Sequence, residues 1–189
     1  MLRVIAGKFK GRKLKTVPGD TTRPVTDRVK ESLFDIIAHD VVDSTWWDVF
    51  GGTGAIGIEA LSRGANFVRF CDLNRLPIET IKDNLANCQC QQQAQVIRGD
   101  AFTMLAEKPN RQFTFIYIAP PQYLDMWKKG MEIVDNNPDW LNEDGDIIVQ
   151  IHPIEYSNLE LKHFEEYDQR KYGSTLLVFY QKREITPTE

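Results

Sequence analysis

The segment Asp48-Val-Phe-Gly-Gly-Thr-Gly-Ala-Ile-Gly57 constrains this chain more than any other. It follows a strand-like run and opens a helical one, and its glycines allow a tight turn. The helix that follows offers free backbone N–H groups to a polar or anionic ligand. From Ser44 onward short strand signals alternate with helical ones. Strands are predicted at Thr45 to Phe50, Phe67 to Cys71, Ala94 to Arg98, Phe113 to Ile118, Asp146 to Ile151 and Thr175 to Gln181. Helices are predicted at Ala55 to Arg63, Leu76 to Asn87, Ala101 to Glu107 and Leu124 to Val134. Such alternation argues for an α/β fold, a mainly parallel sheet covered by helices on both faces.

The two ends depart from this rhythm. Leu159 to Phe164 and Thr175 to Gln181 read as two strands with a polar connection, hence an antiparallel hairpin at the sheet edge. Arg3 to Gly7 and Lys13 to Val17 read as a small hairpin turning near Gly11. A helix from about Asp27 to Ala38 follows, with Thr26 as its N-cap. The expected division is a basic N-terminal hairpin over 1–25, one domain over 26–183 and a tail over 184–189.

Charge separates the hairpin from the rest. Residues 1–30 hold nine Lys or Arg against Asp20 and Asp27, a net +7 in a chain of net −4, so the remainder carries −11. A basic arm on an acidic body suits phosphate binding; a solvated hairpin without a partner is the alternative. Lys8, Lys10, Arg12, Lys13, Arg23 and Arg28 are the candidate phosphate contacts, with Phe9 offered for stacking. No run approaches the roughly 18 apolar residues of a membrane span. Arg3, Lys8 and Lys10 interrupt the apolar start, so no signal peptide is expected and the address is cytoplasmic. Cys71, Cys88 and Cys90, with His39, His152 and His163, form no zinc spacing, and no metal site is expected.

Three acids surround the glycine turn. Asp48 precedes it, Asp72 ends the second strand, and Asp100 ends the third. A carboxylate at Asp72 can accept both ribose hydroxyls, Asp100 can reach an adenine amino group, and Asp48 suits a cationic amino acid moiety. Asp48 would sit poorly beside a pyrophosphate, so S-adenosyl-L-methionine is favoured over a dinucleotide. The cofactor set is Asp48, Phe50, Gly52, Thr53, Gly54, Gly57, Asp72, Leu73, Asp100 and Ala101.

A second motif, Ala119-Pro-Pro-Gln-Tyr123, ends the fourth predicted strand. An Asp-x-Phe-x-Gly-x-Gly turn, a following acid and a Pro-Pro-aromatic loop together resemble class I methyltransferases acting on exocyclic amines. Flanking sequence narrows this. Val4-Ile-Ala-Gly-Lys-x-Lys-Gly-Arg-Lys-Leu14, Thr22-Arg-Pro-x-Thr-Asp-Arg-Val29, Gly57-x-Glu-Ala-Leu-Ser-Arg-Gly-Ala65 and Tyr172-Gly-x-Thr175 resemble the RsmD family, bacterial 16S rRNA guanine-N2 methyltransferases.

The resemblance implies a Rossmann-like class I methyltransferase fold with a seven-stranded sheet. It also implies S-adenosyl-L-methionine as cofactor, S-adenosyl-L-homocysteine as product, and rRNA or the 30S subunit as partner of a monomer. In the family the loop reads Asp/Asn-Pro-Pro-Tyr/Phe. The acid or amide accepts a hydrogen bond from the base's amine, and the aromatic ring stacks on the flipped base. Carried over, the catalytic set is Ala119, Pro120, Pro121, Gln122 and Tyr123. Two departures stand out: Ala119 has no side-chain acceptor, and Gln122 displaces Tyr123 by one position. One lost hydrogen bond at a reacting group costs about 2–4 kcal/mol, or roughly 30- to 1000-fold in rate. The main-chain carbonyls of Ala119 and Pro120, or Oε1 of Gln122, are candidate replacements. A binding protein without turnover, and an amine methyltransferase acting on DNA or protein, are the competing readings.

Overall fold

The computed structural model describes residues 1–19, 25–122 and 124–184. Its strands are β1 (Thr45–Asp48), β2 (Phe67–Asp72), β3 (Ala94–Arg98), β4 (Phe113–Ile118), β5 (Leu141–Ile151), β6 (Phe164–Tyr172) and β7 (Thr175–Lys182). Its helices are α1 (Asp27–Ile36), α2 (Ala55–Ser62), α3 (Arg75–Cys88), α4 (Ala101–Ala106) and α5 (Met126–Asn136). The strands form one sheet in the order β3-β2-β1-β4-β5-β7-β6. β1 to β5 are parallel; β7 pairs antiparallel with both β5 and β6. The Rossmann-like methyltransferase architecture and its antiparallel edge hairpin are as predicted.

Adjacent residues of the central strand sort the core into two layers, because successive side chains of a strand point to opposite faces. Trp46 packs with α1, α2, α3 and the N-terminal arm; Trp47 packs with α4 and α5. Both indoles are fully buried. Thr26 caps α1 as predicted, its hydroxyl accepting from the Val29 N–H at 3.3 Å.

The arm is a short hairpin whose turn spans Gly7 to Gly11, with Arg3 bridged to Lys13. Leu2, Val4, Phe9 and Leu14 sink into the α2 layer. Gly7 lies so close to α2 that a Cβ there would stand 1.9 Å from the Ser62 carbonyl oxygen. Glu59 of α2, fully buried, accepts from the N–H groups of Ile5 (2.9 Å) and Ala6 (3.0 Å) and from Arg63 Nε (3.0 Å). Lys30 Nζ, also fully buried, stands 3.5 Å from the same carboxylate and donates to the Arg3 carbonyl. Further along, Asn84 of α3 accepts from the Lys15 N–H (2.7 Å). Its amide donates to the carbonyls of Lys15 (3.1 Å) and Thr53 (2.9 Å).

Several boundaries are corrected. The edge strand is Phe164–Tyr172, so the stretch read as a polar connection is itself the strand, and the true turn is Gly173-Ser174. Only one neighbour covers an edge strand, so its polar residues carry no clean alternation. β5 begins five residues early, at Leu141, beyond a register shift between Phe113 and Phe115. β1 stops at Asp48 because the glycine turn starts there, and α5 starts at Met126 because Asp125 has φ +50°. Cys71, Cys88 and Cys90 are all buried.

Candidate functional site

The C-terminal ends of β1 and β4, the glycine turn and the N-terminal arm enclose a cavity of about 260 Å³. In open α/β sheets ligands bind in this location, beyond the carboxyl ends of the strands. Asp48, Phe50, Gly52 and Thr53 line it from the cofactor set, and Ala119 lines it from the second motif. Residues not singled out from sequence complete it: Thr16 and Val17 from the arm, Val25 before α1, Tyr117 from β4 and Gln150 from β5.

Asp48 dominates the electrostatics. It is 2% exposed, and its Oδ1 has no hydrogen-bond partner among the described residues. Burial pushes its pKa from an ordinary 3.8 up to about 8; the Gly57 N–H opposes the shift and the Asp72 charge adds to it. The same burial, with the Asp48 charge, raises the Tyr117 phenol well above its usual range. Its hydroxyl donates to Gln150 Oε1 at 2.6 Å.

The other acids brace the backbone. Asp72 Oδ2 accepts from the Gly52 N–H (3.1 Å) and Oδ1 from the Asn74 N–H (3.0 Å), so the carboxylate tethers the turn. Gly54, at φ +75°, stands in left-handed backbone at the start of α2. Gly57 packs against the Phe70 ring. Asp100 caps α4, accepting from the Thr103 N–H (2.8 Å) and hydroxyl (2.9 Å), which hold its carboxyl below the usual range. Leu73 is exposed beyond β2, and Ala101 is buried in α4. Asp48 and Asp72 are the last residues of the neighbouring strands β1 and β2, while Asp100 lies two residues past the end of β3, at the start of α4.

In the second motif Pro120 is buried, while Pro121 and Gln122 are exposed and do not line the cavity. Tyr123 and Arg23 lie outside the described residues. Lys8, Lys10 and Lys13 are exposed on the hairpin, and Arg28 is exposed on α1. Arg12, half-buried, donates to the Asn87 carbonyl. With Lys13, Lys15, Asp83, Ala86 and Asn87 it lines a second groove of about 640 Å³.

One aromatic expectation is overturned. Phe9 is 4% exposed, between Lys8 and Arg12, and stacks on the core instead of on a ligand. Trp127 is fully buried in the α5 layer. Polar Gln150 within Ile147-Ile-Val-Gln-Ile151 was the available signal for β5, but its meaning depends on which strand lies beside it.

Comparison with known proteins agrees with this geometry. The family described as Conserved hypothetical protein 95 matches residues 2–181. The chain is 38% identical over 185 residues to the Bacillus subtilis protein YlbH, covering 96% of this chain and 100% of that one. It is 32% identical over 149 residues to Ribosomal RNA small subunit methyltransferase D of Escherichia coli, covering 79% and 74% respectively. Among solved structures, yhhF from Escherichia coli superposes with TM-score 0.83 at 30% identity, covering 95% of this chain and 97% of that one. Matched along nearly its whole length, the chain belongs to the Conserved hypothetical protein 95 family, the RsmD-like methyltransferases.

Proposed function

We propose that the protein transfers a methyl group from S-adenosyl-L-methionine to the exocyclic N2 of a guanine in small-subunit rRNA. The observation that carries this reading is the cavity itself. It joins an unpartnered buried carboxylate oxygen, a glycine turn and the end of β4 in one space.

The residues fit the cofactor. Asp48 would receive its ammonium group, an unusual buried acid gaining the cation it lacks. Gly52, Thr53 and Gly54 would leave room for its amino acid end, with Phe50 and Gly57 shaping the turn. Asp72 and Leu73 would hold the ribose, and Asp100 with Ala101 the adenine. The cofactor supplies an already activated methyl group, so the chain's task is to orient the amine and exclude water. Ala119, Pro120, Pro121, Gln122 and Tyr123 would frame the base, and Lys8, Lys10, Arg12, Lys13, Arg23 and Arg28 would meet RNA phosphates. The relatives named as small-subunit rRNA methyltransferases support the substrate class.

The test incubates the protein with labelled cofactor and under-methylated 30S subunits, and measures S-adenosyl-L-homocysteine binding by calorimetry. Label in 16S rRNA is expected at a guanine N2. Binding of the cofactor product without any transfer would instead favour a binding protein, the reading that Ala119 motivates.

A further inference from the structure

We propose that Gln150, held in place by Tyr117, is the side chain that receives the target amine, taking the part that Ala119 cannot play. This rests on the reading of the cavity as an amine N-methylation site.

The register carries the argument. Tyr117 pairs with Ile148 and Ile118 with Val149 in the parallel β4–β5 ladder. One step further puts Gln150 beside Ala119, at the strand ends where the cavity opens. Strand alternation puts Tyr117, Ala119, Ile148 and Gln150 on one face. Tyr117 and Ile148 indeed share a core layer, and Ala119 packs against it. Among the residues that line the cavity, those with a side-chain oxygen are Thr16, Asp48, Thr53, Tyr117 and Gln150. Of these, Asp48 is on β1, Thr53 is in the glycine turn and Thr16 is on the arm; only Tyr117 and Gln150 flank Ala119.

The 2.6 Å hydrogen bond sets the roles of the two: Tyr117 is turned toward Gln150 as a donor, and a carboxamide oxygen is a stronger acceptor than a phenol oxygen. Tyr117 spends its proton on Gln150 Oε1. A carboxamide oxygen has two lone pairs, so a second remains for an amine N–H. The bond also fixes the amide's orientation, which an unsupported glutamine would lose among rotamers. The raised pKa of the buried phenol keeps it a donor throughout the ordinary pH range.

In the step itself, the amine nitrogen's lone pair forms the new N–CH3 bond while the S–CH3 bond breaks. The electron pair of that bond stays on sulfur, giving the thioether of S-adenosyl-L-homocysteine. The surplus N–H proton passes to water, since an amide oxygen accepts a hydrogen bond but does not keep the proton. Gln150 is thus a catalytic residue and Tyr117 a positioning residue.

The experiment measures single-turnover methylation of 30S subunits together with S-adenosyl-L-homocysteine affinity. Gln150→Leu is expected to lower kcat on the order of 100-fold, with KM for the subunit and affinity for the cofactor product little changed. Gln150→Glu, which keeps an acceptor, retains more activity than Gln150→Leu. Tyr117→Phe lowers kcat about tenfold without moving KM. The decisive arm is Gln150→Leu combined with Ala119→Asp, which restores transfer because an acceptor returns one strand away.

Transfer undiminished by Gln150→Leu sinks the proposal and leaves the methyltransferase reading intact. Loss of cofactor affinity in Gln150→Leu and Gln150→Glu alike overturns it too, by making Gln150 a cofactor or structural residue. An absence of transfer by the unmodified protein defeats the methyltransferase reading, and this proposal with it.

Discussion

Two buried carboxylates on neighbouring elements meet opposite fates. Glu59, inside α2, is surrounded by the Ile5 and Ala6 N–H groups, Arg63 and Lys30. Asp48, at the end of β1, has Oδ1 without a partner among the described residues and its pKa at about 8. A buried carboxylate with its full set of donors holds structure together, and one short of them is suited to receive a cationic ligand. The region around Glu59 is where the arm is fastened, and the region around Asp48 is where the arm closes over a cavity.

Breaking the fastened side has the largest expected effect. Glu59→Ala strips Lys30 of its buried partner and orphans two arm N–H groups, and should cost about 3–5 kcal/mol of stability, read as a fall in denaturation midpoint. If the loss is below 1 kcal/mol, Glu59 is not the anchor. On the other side, Asp48→Asn should leave the fold at least as stable as before. Its affinity for S-adenosyl-L-homocysteine should weaken by about 2–3 kcal/mol, on the order of 100-fold in Kd. Unchanged affinity by calorimetry would remove Asp48 from the site.

The pH dependence sharpens the contrast. The folded pKa of Asp48 lies above its ordinary value, so the folded protein holds the proton between about 4 and 8. Its contribution to stability therefore falls as pH rises through that window, a slope that Asp48→Asn abolishes in thermal melts. A bound ammonium group favours the ionised form instead. Below pH 8 binding should then release a proton, and affinity should rise with pH by up to about tenfold per unit before levelling near 8. A flat profile from pH 6 to 8 would contradict this. Smallest of all is the surface effect. Replacing Lys8, Lys10 and Lys13 by Ala should leave cofactor affinity unchanged and reduce the salt slope of RNA binding by about 2 to 3.

The parts of the fold that sequence reveals are those with a period of their own. β2 and β4 are mostly apolar runs, α3 has a clear apolar stripe, and Thr26 caps α1 where a hydroxyl should. The edge strand β6 was misplaced because Glu165 to Arg170 look like loop when only one neighbour covers them. In the site, Asp48, the glycine turn and Ala119 could be found along the chain, since each belongs to a local motif. Tyr117 and Gln150 could not, because their meeting depends on the register of β4 against β5 across 33 residues. Phe9 was misjudged for a related reason: flanked by lysines it reads as surface, while its N–H donates to Ser62 Oγ of α2 and its side chain lies in the core.

Asn84 carries a different kind of consequence. One amide binds the arm at Lys15 and the glycine turn at Thr53, and each of these three hydrogen-bond partners is a main-chain atom. Side-chain pairs can drift together over generations, one substitution repairing another. A partner made of backbone offers no such repair, because every residue type presents the same carbonyl. Position 84 is therefore a place where this lineage has little freedom to wander, although nothing there touches a substrate.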